Sequence, residues 1–124
     1  MKCLLIDDDL DDQEIFELML KKINKDAIFR AASDAPEAIS MLSSGEIQPD
    51  YIFLDMNMPK MDGIECLAEI RKLPNMDGCK IYMYSTTSDE ALVNRVKAMG
   101  AVDFIVKPAT TAALQQALAG IFSA

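Results

Sequence analysis

Five short apolar runs, each separated from the next by a stretch with helical periodicity, limit this chain to few folds. The runs are Cys3–Ile6, Ala27–Arg30, Tyr51–Leu54, Ile81–Tyr84 and Phe104–Val106. They are nearly continuous in hydrophobicity rather than alternating, which suits strands of a parallel sheet covered on both faces. The stretch Asp11–Ile23 places Ile15, Phe16, Leu18, Met19 and Ile23 on one broad helical face. Asp34-Ala35-Pro36-Glu37 has the form of a helix start, with an acid cap, an early proline and a glutamate at the third position; its helix runs to about Leu42. Asp62-Gly63-Ile64-Glu65 opens a third helix that reaches about Leu73 before Pro74. Ser88 is the expected cap of a fourth, which ends before Gly100, and Thr110 or Thr111 caps a fifth that reaches about Phe122. Strand and helix therefore alternate five times, the signature of an α/β fold with right-handed crossovers.

In such sheets, ligands bind beyond the carboxyl ends of the strands, so the residues that end each run carry the functional information. The first run ends in Asp7-Asp8-Asp9, the third in Asp55, the fourth in Ser85-Thr86-Thr87 and the fifth in Lys107-Pro108. Carboxylates, hydroxyls and one ammonium converge on one edge. Asp7, Asp8 and Asp55 would repel one another if the first and third strands are neighbours, and a hard divalent cation such as Mg2+ relieves that repulsion. A carboxylate can attack phosphorus to give an acyl phosphate, while a metal ion and a lysine offset the charge that develops. The set thus fits phosphoryl transfer to an aspartate. No glycine-rich turn follows the first strand, and Asp7-Asp8-Asp9 would repel a dinucleotide or flavin phosphate.

Composition removes other classes. The chain has 124 residues, the size of one domain, and 51% of them are hydrophobic, too many for a disordered segment. The formal charge of −8 disfavours nucleic acid and anionic membrane as partners. There is no histidine, so no histidine base, ligand or Ser-His-Asp triad exists, and the chain cannot be its own phosphohistidine donor. Three cysteines without a C-x-x-C pattern give neither a disulfide framework nor a zinc site; Cys3 and Cys66 read as small core residues. No apolar run spans a membrane and the acidic start is no secretory signal, so a cytoplasmic protein is expected. Asp9, Asp11 and Asp12 read as acids of the first turn of helix one, Tyr82 and Tyr84 as packed strand residues, and the nine methionines as core fillers.

Taken in order, the motifs resemble the receiver domains of two-component response regulators, of the single-domain, chemotaxis-regulator kind. The likeness rests on Asp7-Asp8, on Leu54-Asp55-Met56-Asn57-Met58-Pro59-Lys60-Met61-Asp62-Gly63, on a hydroxyl after the fourth strand, and on Gly100 to Pro108. It covers the whole chain, residues 1–124. It implies a flavodoxin-like five-stranded parallel sheet of order 2-1-3-4-5 with five helices. It also implies that Asp55 is the phosphoacceptor, Asp8 a direct Mg2+ ligand and Asp7 the acid that orients metal-bound water. Asn57 would offer its backbone carbonyl, and Lys107 would contact the phosphoryl oxygens. Of the hydroxyls, Ser85 has the family's usual chain separation from Asp55 and Lys107 and is assigned as the switch, with Phe104 as the switch aromatic. A cis Lys107–Pro108 bond goes with the resemblance. The implied donor is a histidine kinase or histidine phosphotransfer protein, and the output is a change in the face formed by helix four, strand five and helix five, read by an unnamed downstream protein. The domain would assist its own phosphorylation and dephosphorylation without being an enzyme.

Two departures stand out: serine replaces the commoner threonine at the switch, and Ala109 follows Pro108 where a bulky apolar residue is frequent. A haloacid-dehalogenase-type phosphatase also uses an aspartate and Mg2+, but Asp7-Asp8-Asp9-Leu10-Asp11 lacks that family's Thr or Val, and no cap domain is present. The pattern also admits a receiver that binds partners without being phosphorylated, and a flavodoxin-like binding protein. The former would fail to label at Asp55 and the latter would be coloured.

Overall fold

The computed structural model describes residues 1–86 and 89–123. The elements follow in the expected order: β1 (Lys2–Ile6), α1 (Leu10–Ile23), β2 (Ile28–Ala32), α2 (Ala35–Ser43), β3 (Tyr51–Leu54), α3 (Gly63–Lys72), β4 (Lys80–Ser85), α4 (Glu90–Ala98), β5 (Asp103–Val106) and α5 (Thr111–Phe122). The strands form one parallel sheet in the order β2-β1-β3-β4-β5, the order expected of a flavodoxin-like fold.

The strands are apolar throughout because both faces are covered. Side chains alternate across a strand. Leu4 and Ile6 of β1, Ile52 and Leu54 of β3, and Ile81 and Met83 of β4 pack with Ala38 and Met41 of α2, Cys66, Leu67 and Ile70 of α3, and Val96 of α4. Cys3, Leu5, Phe53 and Tyr84 point the other way, onto Phe16, Met19 and Leu20 of α1 and Leu114 and Leu118 of α5. Phe16 anchors this second core, its ring 4.9 Å from that of Phe53 and 5.7 Å from that of Tyr84. All three cysteines are buried and unbridged. Burial pushes the Cys66 and Cys79 thiols up to about 12, which makes them inert core residues at neutral pH.

Several sequence expectations need correction. Leu18 is exposed and Ile15 partly so, whereas Leu20 is buried. Phe16, Met19, Leu20 and Ile23 form the i, i+3, i+4, i+7 set, and Leu18 lies on the opposite side of the helix from Phe16. β2 lies further along the chain than the apolar run Ala27–Arg30. It follows the register of β1, Lys2 opposite Ile28 through Ile6 opposite Ala32, and its end falls on alanines with little strand propensity of their own. The cap of α4 is Asp89, which accepts the Leu92 N–H at 2.8 Å; Ser88, the expected cap, and Thr87 lie outside the described residues. Among the described residues no peptide bond is cis, so Lys107–Pro108 is trans, the lower-energy isomer even before proline. Asp34, Asp62 and Thr110 cap their helices as expected, and Asp62 with Glu65 completes a reciprocal capping box. Gly100 follows α4 at φ 106°, in the left-handed region where a side chain would be strained.

Candidate functional site: an acidic notch with a buried lysine

β1 and β3 are neighbours in register, with Ile6 opposite Leu54. Asp7 and Asp55 are therefore the next residues on adjacent strands, and the Asp55 N–H donates to the Ile6 carbonyl at 2.9 Å. Asp7 is fully buried, Asp55 is 6% exposed and Asp8 is open to solvent. One carboxylate oxygen from each of the three lies within 4.8 Å of the other two. The expected cluster is thus formed.

Lys107 reaches this cluster from the end of β5, its N–H donating to the Ser85 carbonyl at 2.7 Å. Its ammonium donates to Asp7 Oδ2 at 2.8 Å and to Asp12 Oδ2 at 2.9 Å, and lies 3.6 Å from Asp55 Oδ2. It also sits 5.3 Å from the centre of the Tyr84 ring. The alternation of β1, β3 and β5 points Asp7, Asp55 and Lys107 toward the α1–α5 side of the sheet, where the first turn of α1 presents Asp12.

The electrostatics follow from this crowding. Burial pushes the Asp7 carboxyl above the usual carboxylate range; Lys107 and the Asp9 N–H pull it part of the way back, and the Asp55 charge pushes it up again. For Lys107, burial alone would release the proton, but hydrogen bonds to Asp7 and Asp12, with the charges of Asp7 and Asp55, outweigh it and hold the ammonium more firmly protonated than usual. Burial likewise raises the Tyr84 phenol to about 12, against the pull of Lys107.

Local hydrogen bonds fix the loops that carry these groups. Asp9 caps α1 by accepting the Asp12 N–H at 3.1 Å, and its own N–H donates to Asp7 Oδ1 at 2.9 Å. Gln13 Nε2 donates to the Asp7 carbonyl at 2.6 Å and to Ser33 Oγ at 3.3 Å, tying the ends of β1 and β2. After β3, the Asn57 N–H donates to Asp55 Oδ1 at 3.2 Å and the Gly63 N–H to the Met56 carbonyl at 2.9 Å. Lys60, at φ 71°, pairs with Asp34 at the start of α2 across 3.0 Å. Gly63 is required by proximity: a Cβ there would stand 2.5 Å from the Asp55 carbonyl oxygen and 2.7 Å from Met56 Cα. Both are backbone atoms. Replacing Gly63 by Ala is therefore expected to cost about 2–3 kcal/mol, the scale of overpacking, read as a lower urea midpoint with an unchanged slope.

By strand alternation the two switch candidates, Ser85 on β4 and Phe104 on β5, lie on the same face of the sheet. Ser85 is fully buried, and its Oγ has no hydrogen-bond partner among the described residues. Phe104 is half-buried against the core on the α2–α3–α4 side, opposite Met83 in register. Thr86, the neighbouring hydroxyl, is exposed. Asn57 is exposed as well. Met56 and Met58, which follow Asp55 in the chain, are half-buried against the same core as Phe104. Sequence reasoning misses the contacts of Asp12 and Gln13. On sequence alone, Asp12 is an acid favourable to the helix dipole; the available signal is its place in the first turn of α1, directly after the acidic strand end.

The sequence matches the response regulator receiver domain family over residues 3–119. A chemotaxis protein CheY of Listeria monocytogenes is 34% identical over 109 residues, covering 87% of each chain. The crystal structure of a phosphorylated cyanobacterial phytochrome response regulator, RcpA, superposes with a TM-score of 0.86 at 28% identity, covering 97% of this chain and 89% of that one. The CheY of Borrelia burgdorferi, solved in complex with CheX, BeF3 and Mg2+, superposes with a TM-score of 0.82 at 30% identity, covering 98% and 89%. This chain belongs to the response regulator receiver domain family, whose members are signalling phosphoacceptor domains. No helix among the described residues is long and apolar enough to cross a membrane.

Proposed function

We propose that residues 1–124 form one receiver domain that takes a phosphoryl group from a partner's phosphohistidine onto Asp55, with Mg2+ held by Asp7, Asp8, Asp55 and the backbone carbonyl of Asn57. The observation that carries this reading is the convergence of three carboxylates within 4.8 Å of one another, with an ammonium 3.6 Å from Asp55. The donors suit a hard cation. Three carboxylates stand against the single ammonium of Lys107, an excess of negative charge that such an ion relieves, and the exposed Asp8 gives it an approach from solvent. The Mg2+ bound by the Borrelia protein supports the same assignment.

An Asp55 carboxylate oxygen attacks phosphorus in line. The new O–P bond forms as the P–N bond to the donor imidazole breaks, and the bonding pair returns to the ring nitrogen. When bound, Mg2+ supplies positive charge against the phosphoryl oxygens. Lys107, 3.6 Å from Asp55, supplies a second positive charge. The Ser85 hydroxyl, buried and without a partner among the described residues, turns to donate to a phosphoryl oxygen, and Phe104 fills the space it leaves. The face formed by α4, β5 and α5 then changes its population of states and its affinity for a downstream protein. The domain is modified stoichiometrically and assists its own phosphorylation and dephosphorylation; it is a signalling component, not an enzyme with turnover. A histidine kinase or phosphotransfer protein serves as donor, and the cytoplasm is the compartment this reading requires. Neither nucleic acid nor membrane is a partner.

The test is incubation with acetyl phosphate and Mg2+, which yields a stoichiometric acyl phosphate; a phosphatase would instead turn over many phosphomonoesters. Replacing Asp8 by Ala removes one of the three carboxylates and is expected to weaken Mg2+ binding at least about tenfold in a titration, the equivalent of ~1.4 kcal/mol. Unchanged affinity would put the ion elsewhere.

A further inference from the structure

We propose that Asp12 is a positioning residue for Lys107: it keeps the ammonium at the rim of the notch when a divalent cation takes over Asp7 and Asp55. The inference rests on the function proposed above. Its ground is the way the lysine's donors are divided. Two of the three N–H bonds of Lys107 are committed, one to Asp7 at 2.8 Å and one to Asp12 at 2.9 Å. Asp55, at 3.6 Å, is beyond hydrogen-bond distance and is held by charge alone. Asp7 and Asp55 belong to the three-carboxylate cluster, and Asp12 does not.

A cation in the cluster draws on Asp7 and Asp55 and repels the ammonium beside them. Asp12 is then the one brace of Lys107 that the cation does not share. It is well placed for this. Its N–H is tied to the Asp9 cap, it sits in the first turn of a helix where a carboxylate is favoured, and its side chain is about one-third exposed while that of Lys107 is 12% exposed. A lysine still held by Asp12 stays beside Asp55, where the phosphoryl oxygens arrive. Without Asp12, Lys107 has only carboxylates that the cation is also using.

The experiment compares the parent with Asp12→Asn, Asp12→Glu, Lys107→Met and the Asp12→Asn/Lys107→Met double variant. Each is assayed for Asp55 phosphorylation by acetyl phosphate at saturating Mg2+. The 15N-labelled ammonium of Lys107 is followed by NMR in the metal-free and Mg2+-loaded protein. The expected result is a rate about tenfold lower in Asp12→Asn, partly restored in Asp12→Glu, with no further loss when Asp12→Asn is added to Lys107→Met. Mg2+ affinity stays within about twofold, because Asp12 is outside the cluster. The Lys107 ammonium signal persists in the Mg2+-loaded parent and is lost to solvent exchange in loaded Asp12→Asn. An equal or faster rate in Asp12→Asn, an undiminished signal in the loaded variant, or the same fractional slowing in both backgrounds would overturn the proposal. A parent that takes no phosphoryl group overturns the functional reading and this inference with it; a labelled parent alongside an unaltered Asp12→Asn variant overturns only the inference.

Discussion

Replacing Asp55 by Asn abolishes uptake of phosphate from acetyl phosphate and leaves the fold intact. The amide has the same shape as the carboxylate, so the Asn57 N–H keeps an oxygen to bond and the β3–α3 connection keeps its course. What is lost is the anionic nucleophile: an amide oxygen does not form a stable bond to phosphorus, and the neighbouring Asp7 is buried and bonded to Lys107 and the Asp9 N–H. Stability should be equal or slightly higher, since one of three mutually repelling carboxylates has been neutralised. Intact-protein mass spectrometry after reaction with acetyl phosphate and Mg2+ reads the effect directly: one added phosphoryl group on the parent, none on the variant. Undiminished labelling of the variant would remove Asp55 from the role assigned to it.

Replacing Lys107 by Met separates two properties that the intact notch combines. The ammonium lies within 3.6 Å of three carboxylates, one of them fully buried. Removing one partner of a buried pair leaves the other charged and unsolvated, so the metal-free variant should lose about 3 kcal/mol in denaturant unfolding. Mg2+ should restore most of that loss, because it occupies the cluster from which the lysine has gone and no longer competes with a neighbouring cation. Binding of Mg2+ therefore tightens. Phosphoryl transfer moves the other way, falling about 10²–10³-fold, the scale of removing one preorganised group that meets developing charge. Tighter metal with slower chemistry is a combination that general unfolding does not produce. A variant with weaker Mg2+ binding, or with the parent's phosphorylation rate, would contradict the role given to Lys107.

The alternation of apolar runs and helical stretches made the fold legible, because a buried parallel strand must be apolar on both faces and each crossover needs a helix. The ends of β1, β3 and β5 made the acidic notch legible for the same reason: once the strand order is known, Asp7, Asp55 and Lys107 are brought to one edge by register alone. Details that depend on which way a side chain turns were not legible. Leu18 and Leu20 look alike in sequence, and only the angle between them and Phe16 decides that one is buried and the other is not. Asp12 has the composition of an ordinary first-turn acid, and its contact with Lys107 depends on the height of α1 above the sheet. The β2 boundary was set by its partner β1 rather than by its own residues, and Ala31-Ala32 carry no strand signal. The cap of α4 fell on Asp89 and not on a serine of similar propensity one place earlier.

Borohydride reduction of the acetyl phosphate-treated protein, followed by sequencing of its peptides, shows which residue takes the phosphoryl group. An acyl phosphate on an aspartate is converted by this treatment to homoserine. With Asp55 as the acceptor, homoserine is expected at position 55 in Mg2+-treated protein and absent from a sample kept in chelator; homoserine at Asp7, Asp8 or Asp12, or at no position, would exclude Asp55 as the acceptor.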